Sequence, residues 1–137
     1  MMVAGYSHTF AYMDLGGGPS PALQLRVGAP GGEVLIDVDA YLDSGASASL
    51  FSGDILQGID LDLLAGKLKR YHSTFGAGIE ARLHLVRLSH EQLGSFVLEV
   101  GFSTEPISRN LLGRDFFDRI QIGFREHQSA FFVEPSP

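Results

Sequence analysis

The chain has 137 residues, 45% hydrophobic and 19% charged, enough apolar material for one packed core and too mixed for disorder. Sixteen acidic against ten basic side chains leave a net charge of −6, which argues against nucleic acid or an anionic membrane as the main partner. There is no cysteine, which excludes disulfides, a thiolate nucleophile and Cys-ligated zinc. No apolar run approaches the ~20 residues of a membrane-spanning helix. MMVAGYSHTF lacks the basic-then-apolar order of a secretory signal. The expectation is one soluble, cytoplasmic domain over residues 1–137.

Glycines and prolines punctuate short apolar stretches along the whole chain, which favours strands. A first run, Tyr6 to Leu15, ends at Gly16-Gly17-Gly18-Pro19-Ser20-Pro21, read as loop. Leu23, Leu25 and Val27 alternate with Gln24 and Arg26, the period of a half-buried strand. After the turn at Gly28-Ala29-Pro30-Gly31-Gly32, a second alternation puts Val34, Ile36, Val38, Ala40 and Leu42 on one face, with Asp37 and Asp39 on the other. It ends at Asp43-Ser44-Gly45. Ser52 is an acceptable N-cap for a short helix from Gly53 to Gln57.

Farther on, Arg82, His84 and Arg87 interleave with Leu83, Leu85 and Leu88, and strands are expected over 82–88, 96–101, 120–124 and 129–133. Gly113 to Arg119 reads as a short helix near the C-terminus. Phe116, Phe117, Phe131 and Phe132 are expected in the core or at a dimer interface. The fold class is mostly β, a closed barrel or a sandwich. No solenoid repeat is present, although the strand end at Ala40–Gly45 is echoed half a chain later by Asn110-Leu111-Leu112-Gly113.

The clearest chemistry lies at Asp43-Ser44-Gly45-Ala46. An aspartate leaving a buried strand into a tight glycine turn sits at the lip of the core, held by backbone N–H groups. Gly45 lets the backbone pass close to a substrate, and Ser44 offers a hydroxyl that can lock the turn. Two such carboxylates about 3 Å apart cannot both ionise and share one proton. One then activates water while the other protonates a scissile carbonyl. The chain has one copy, so catalysis requires a twofold dimer to bring the second Asp43. A D-[ST]-G-[AS] tetrapeptide arises by chance in roughly one chain of this length in a hundred.

With Phe75-Gly76-Ala77-Gly78-Ile79 and Asn110-Leu111-Leu112-Gly113-Arg114-Asp115-Phe116-Phe117 in the same order and spacing, the sequence resembles the retropepsin-like (retroviral-type) aspartic proteases, particularly their bacterial members. The resemblance spans about Leu23 to Val133. It implies a closed β-barrel-like acid-protease fold whose monomer is half of a homodimeric enzyme. It also implies an extended peptide or protein substrate beneath a flap, and no metal or organic cofactor. By position, Asp43 matches the catalytic aspartate, and Ser44 the hydroxyl residue that ties the two active-site loops together. Gly45 matches the residue whose carbonyl meets substrate, with Ala46 following in the loop. Residues 75 to 79 match the flap tip, and Leu111, Leu112, Gly113 and Arg114 the segment supporting the loop.

Two departures stand out. Viral members carry an acid four residues after the aspartate, paired with the arginine at the position of Arg114; here that residue is Ser47, leaving Asp118, one helical turn on, as the partner expected for Arg114. The flap also has fewer glycines. The alternation near the C-terminus suits an intersubunit sheet by analogy with the family.

Other readings are weaker. Gly76-Ala77-Gly78-Ile79-Glu80-Ala81 fits a nucleotide-binding fingerprint, but a strand rather than a helix follows it. Asp37, Asp39 and Asp43 are separated by apolar residues, unlike a calcium loop. Gly45-Ala46-Ser47-Ala48-Ser49 lacks the closing glycine of a nucleophile elbow. His8, His72, His84, His90 and His127 show no ligand spacing. The expected function is a homodimeric aspartic endopeptidase, the alternatives being a catalytically silent peptide-binding or scaffold domain of the same fold and a monomeric β domain.

Overall fold

The structure is a computed structural model that describes residues 5–73 and 76–135, with 73, 76 and 77 given as backbone alone. Its strands in chain order are β1 (His8–Ala11), β2 (Met13–Asp14), β3 (Pro19–Ser20), β4 (Ala22–Gly28), β5 (Ile36–Leu42), β6 (Leu50–Ser52) and β7 (Lys67–Ser73), followed by β8 (Gly76–His90), β9 (Gly94–Ser103), β10 (Asn110–Leu112), β11 (Ile120–Arg125) and β12 (Ala130–Pro135). Two short helices, α1 (Ile55–Gly58) and α2 (Arg114–Phe117), and two 3-10 turns complete the described elements.

Neighbouring strands run in the order β4, β5, β10, β6, β9, β8, and β8 returns to β4 through Arg26 opposite Ser89 and Val27 opposite Leu88. This closes a barrel of six strands. A closed barrel leaves no free sheet edge, and its interior fills with alternate side chains. On β4, Ala22, Leu23, Leu25 and Val27 are buried while Gln24 and Arg26 face out, as the alternation predicts. On β5, Val38, Ala40 and Leu42 are buried, but the strand begins only at Ile36 and Val34 is exposed.

The parity of β8 changes along its length. Ala81 is buried at one end and Val86 and Leu88 at the other, with Leu85 exposed between them. The cause is a change of partner: residues 87–89 pair with β4 in the barrel wall, whereas residues 76–83 pair with β7 in a projecting hairpin. A strand of period two cannot present one face to both surroundings. The irregular interleaving of arginines and leucines over 82–88 is the sequence trace of that switch.

Phe51, Phe102, Phe116 and Phe131 are fully buried, with Phe51 edge-on to Phe102 at 5.9 Å. Phe132 is buried and Phe117 half-buried. Three expectations are corrected. The segment 16–21 is not all loop: Pro19 and Ser20 pair with Asp14 and Met13, and Asp14 Oδ1 accepts the N–H of Gly16 at 2.9 Å across the turn. Ser52 is not an N-cap, because it still belongs to β6 and its N–H donates to Asn110 Oδ1 at 2.8 Å; the cap of α1 is Asp54. The strand β12 has no edge free for an intersubunit sheet, since β1 and β11 pair with its two sides.

Candidate active site

The parallel strands β5 and β10 end side by side, Leu42 opposite Leu112, so the two echoed segments of the sequence are neighbours in one sheet. Both interior leucines are buried. The chain leaves β5 at Asp43, whose N–H is the last tie to β10, donating to the Leu112 carbonyl at 2.9 Å. Beyond it the backbone turns at once. Asp43 Oδ1 accepts the Gly45 N–H at 2.9 Å and the Asp43 carbonyl accepts the Ala46 N–H at 3.1 Å, the turn that an aspartate two residues before a glycine favours. The half-buried Asp43 carboxylate is therefore held at the end of a rigid strand, while Ser44 and Gly45 are exposed.

The segment after β10 braces this loop. Arg114 N–H donates to the Ala46 carbonyl at 2.8 Å. Gly113 lies so close that a Cβ there would meet the Ala46 carbonyl oxygen at 2.7 Å and the Ala48 carbonyl carbon at 2.8 Å, so only glycine fits. Ser49, fully buried, is the centre of the bracing. Its hydroxyl donates to Asp115 Oδ1 at 2.7 Å and accepts the Gly113 N–H at 3.0 Å. Its own N–H donates to both Asp115 oxygens at 3.0 Å, and its carbonyl accepts the Gly101 N–H at 3.2 Å. Asp115 also accepts the Phe116 N–H at 2.8 Å. Every polar group of Ser49 is thus satisfied, as burial demands.

Tyr71, on β7, joins the same centre by donating its hydroxyl to the Ser49 carbonyl at 2.9 Å. Its ring lies against Gly101, where any side chain would overlap it. Burial, reinforced by the negative charge of Asp115, pushes the Tyr71 hydroxyl up to about 12, so it stays a donor across the ordinary pH range. Between the loop at 45–48, with Leu50 and Leu111, and the hairpin residues 69–72 lies a cavity of about 530 Å³. A separate cleft of about 450 Å³, lined by Phe10, Arg26 and His90, includes none of the loop residues.

The structure brings Asp43, Gly45, Ala46, Leu112, Gly113 and Arg114 into one bonded unit, with Gly45, Ala46, Leu111 and Arg114 also bordering the cavity. Ser44 makes no hydrogen bond among the described residues; Asp43 rather than the serine locks the turn. In the hairpin, Ile79 pairs with Tyr71, and Gly76 with Ser73 across a register shift; Gly76, Ala77 and Gly78 belong to β8. Phe75 lies outside the described residues. Arg114 and Asp118 form no ion pair among the described residues; the bond between them is backbone only, Asp118 N–H to the Arg114 carbonyl at 2.9 Å. No group of three or more His, Cys, Asp or Glu among the described residues could hold a metal, and no helix among them is long and apolar enough to cross a membrane.

Ser49, Asp115 and Tyr71 were not singled out as site residues by the sequence. Serine and aspartate at turns are ordinary, and the signal is a contact between positions 66 apart in the chain.

No protein-family model matches the sequence, and no curated protein does. Solved structures do match. The retropepsin-like aspartic protease from Rickettsia conorii is similar with a TM-score of 0.63 at 16% identity, over 92% of this chain and 89% of that one. EIAV protease in complex with the inhibitor HBY-793 is similar with a TM-score of 0.52 at 15% identity, over 75% of this chain and 89% of that one. The chain has the retropepsin-like fold.

Proposed function

We propose that the protein is a homodimeric aspartic endopeptidase in which Asp43 of each chain supplies one carboxylate of a shared site. The observation that carries the reading is the placement of Asp43: one carboxylate, fixed by the Gly45 N–H at the end of β5, on a loop braced by Gly113 and Arg114, in a fold whose solved likenesses include aspartic proteases. Asp115, the other carboxylate of this region, is committed to Ser49 and cannot serve as the partner acid. The second catalytic group must come from another copy of the chain, and twofold symmetry then sets the two Asp43 side chains face to face.

Two carboxylates so placed hold one proton between them. The ionised member takes a proton from a water held between the pair, and that water attacks the peptide carbonyl. The protonated member donates to the carbonyl oxygen, giving a tetrahedral gem-diol that collapses as the amide nitrogen is protonated. The Gly45 backbone and the hairpin of β7 and β8 flank the path of an extended substrate. Because the dyad works with one proton, activity is expected from mildly acidic to neutral pH.

Asp43→Asn removes the shared proton chemistry while keeping the oxygen that accepts the Gly45 N–H. Peptide cleavage should fall by about 10³-fold or more, with fold and dimer retained by circular dichroism and sedimentation. Turnover within a few-fold of the wild type would sink the mechanism. A folded wild-type dimer that binds peptides without cutting any would instead favour the silent peptide-binding domain.

A further inference from the structure

The cavity beside the Asp43 loop reverses the charge of the molecule that surrounds it. The chain carries a net −6, yet no Asp or Glu among the described residues lines this cavity, whereas Lys69 and Arg114 border it from two different walls. Lys69 and Tyr71 are two apart on β7 and so share a face, the one turned toward Ser49. The Lys69 ammonium stands 4.8 Å above the Tyr71 ring, whose hydroxyl is anchored on the Ser49 carbonyl. That contact fixes a cation at the cavity rim through a chain of bonded groups rather than by a carboxylate. Arg114 is exposed and has no carboxylate within ion-pair distance among the described residues, its backbone being spent on bracing the loop. Arg70 and His72 also border the cavity; by strand alternation their side chains lie on the other face of the hairpin, where Glu80 stands opposite Arg70 in register. Arg70 carries a further positive charge beside the cavity floor. That floor, with Leu50 and Leu111, is apolar.

We infer that this cavity takes an acidic side chain, Glu or Asp, of an extended peptide, its methylenes lying against Leu50 and Leu111 and its carboxylate meeting Lys69 and Arg114. The inference rests on the peptidase reading of Asp43 for its functional meaning. Its physical basis is charge complementarity: two cations with no carboxylate partner among the described residues, at an apolar floor, attract a carboxylate and gain less from a neutral amide of the same shape.

The test is a set of matched decapeptides that differ by Glu or Gln at one position, that position being walked along an apolar sequence. At one position the wild type should show a kcat/KM about tenfold higher for Glu than for Gln, the size expected of two solvent-screened ion pairs, and the ratio should shrink with added salt. In Lys69→Gln/Arg114→Gln the same ratio should fall to near one; being internal to each variant, it does not depend on how much protein is folded. Equal cleavage of both peptides by the wild type overturns the acidic preference and leaves the peptidase reading standing, and a ratio unchanged in the double variant overturns the assignment to these residues. Should nothing be cleaved, the peptidase reading fails. Fluorescence anisotropy of the same peptides, labelled, on Asp43→Asn then decides the inference: tighter binding of the Glu peptide that the Lys69→Gln/Arg114→Gln changes abolish supports it, whereas equal binding, or none, overturns it.

Discussion

The junction of β5, β6 and β10 and the terminal sheet of β1, β12 and β11 both reach the core, but they are held by different forces. At the junction the central residue is a serine with every polar group occupied, bonded to Asp115, Gly113, Gly101 and Tyr71. In the terminal sheet the central residue is Phe131, fully buried, stacked on Phe10 at 5.2 Å and flanked by Tyr12 and Phe124 at 6.3 and 6.4 Å. Hydrogen bonds are directional and fix positions, while ring packing fills volume and tolerates some change of shape. The directional device braces the loop that carries Asp43, and the tolerant one lies where a core is closed.

The contrast breaks first at Phe131. Phe131→Ala opens a cavity among aromatic rings and should lower unfolding stability by about 4 kcal/mol, while Phe131→Leu, which keeps most of the volume, should lower it by only about 1.5 kcal/mol. Urea denaturation of both variants measures the gap. A leucine variant as unstable as the alanine one would mean that the terminal sheet depends on ring geometry after all.

The junction should respond in the opposite style, through coupling. Asp115→Ala leaves the N–H and hydroxyl of a buried serine without an acceptor and should cost about 3 kcal/mol; Ser49→Ala strands the Gly113 N–H and should cost about 2 kcal/mol. The double variant should cost at least about 1 kcal/mol less than the two effects added, because each single change already ruins the bond they share. Strict additivity would show that the serine and the aspartate act independently of one another.

The two regions were not equally legible in the sequence. Clean alternation exposed β4 and most of β5, since both run through the barrel wall with one face always inward. The same reasoning missed β7, Lys67–Ser73, because a strand in a projecting hairpin keeps charged residues on both faces and loses its apolar signature. The Asp43 turn could be read because an aspartate two residues before a glycine at a strand end favours the side-chain-to-backbone bond found there. Its support could not, because Ser49 meets Asp115 only after β10 has inserted between β5 and β6. The central place of β12 was hidden for a related reason: nothing in residues 130–135 announces that β1 and β11 will occupy both of its edges.

The smallest effect sharpens the contrast at the point where the hairpin touches the junction. Tyr71 gives the Ser49 carbonyl a second donor besides Gly101, so Tyr71→Phe leaves that carbonyl satisfied and should cost only about 1 kcal/mol at neutral pH. Its clearer mark is in alkali. The hydroxyl titrates at about 12 in the folded chain against 10.0 for the ordinary group, burial being the main cause and Asp115 the second. Between those values the unfolded chain has released its proton and the folded chain still holds it, so the stability this neutral hydroxyl contributes is complete below pH 10 and drains away as the pH rises toward 12. Tyr71→Phe should flatten that part of the stability profile, and urea midpoints taken from pH 8 upward would show it. A variant whose stability declined as steeply as the wild type's would place the alkaline transition elsewhere and leave the tyrosine as a packing group over Gly101.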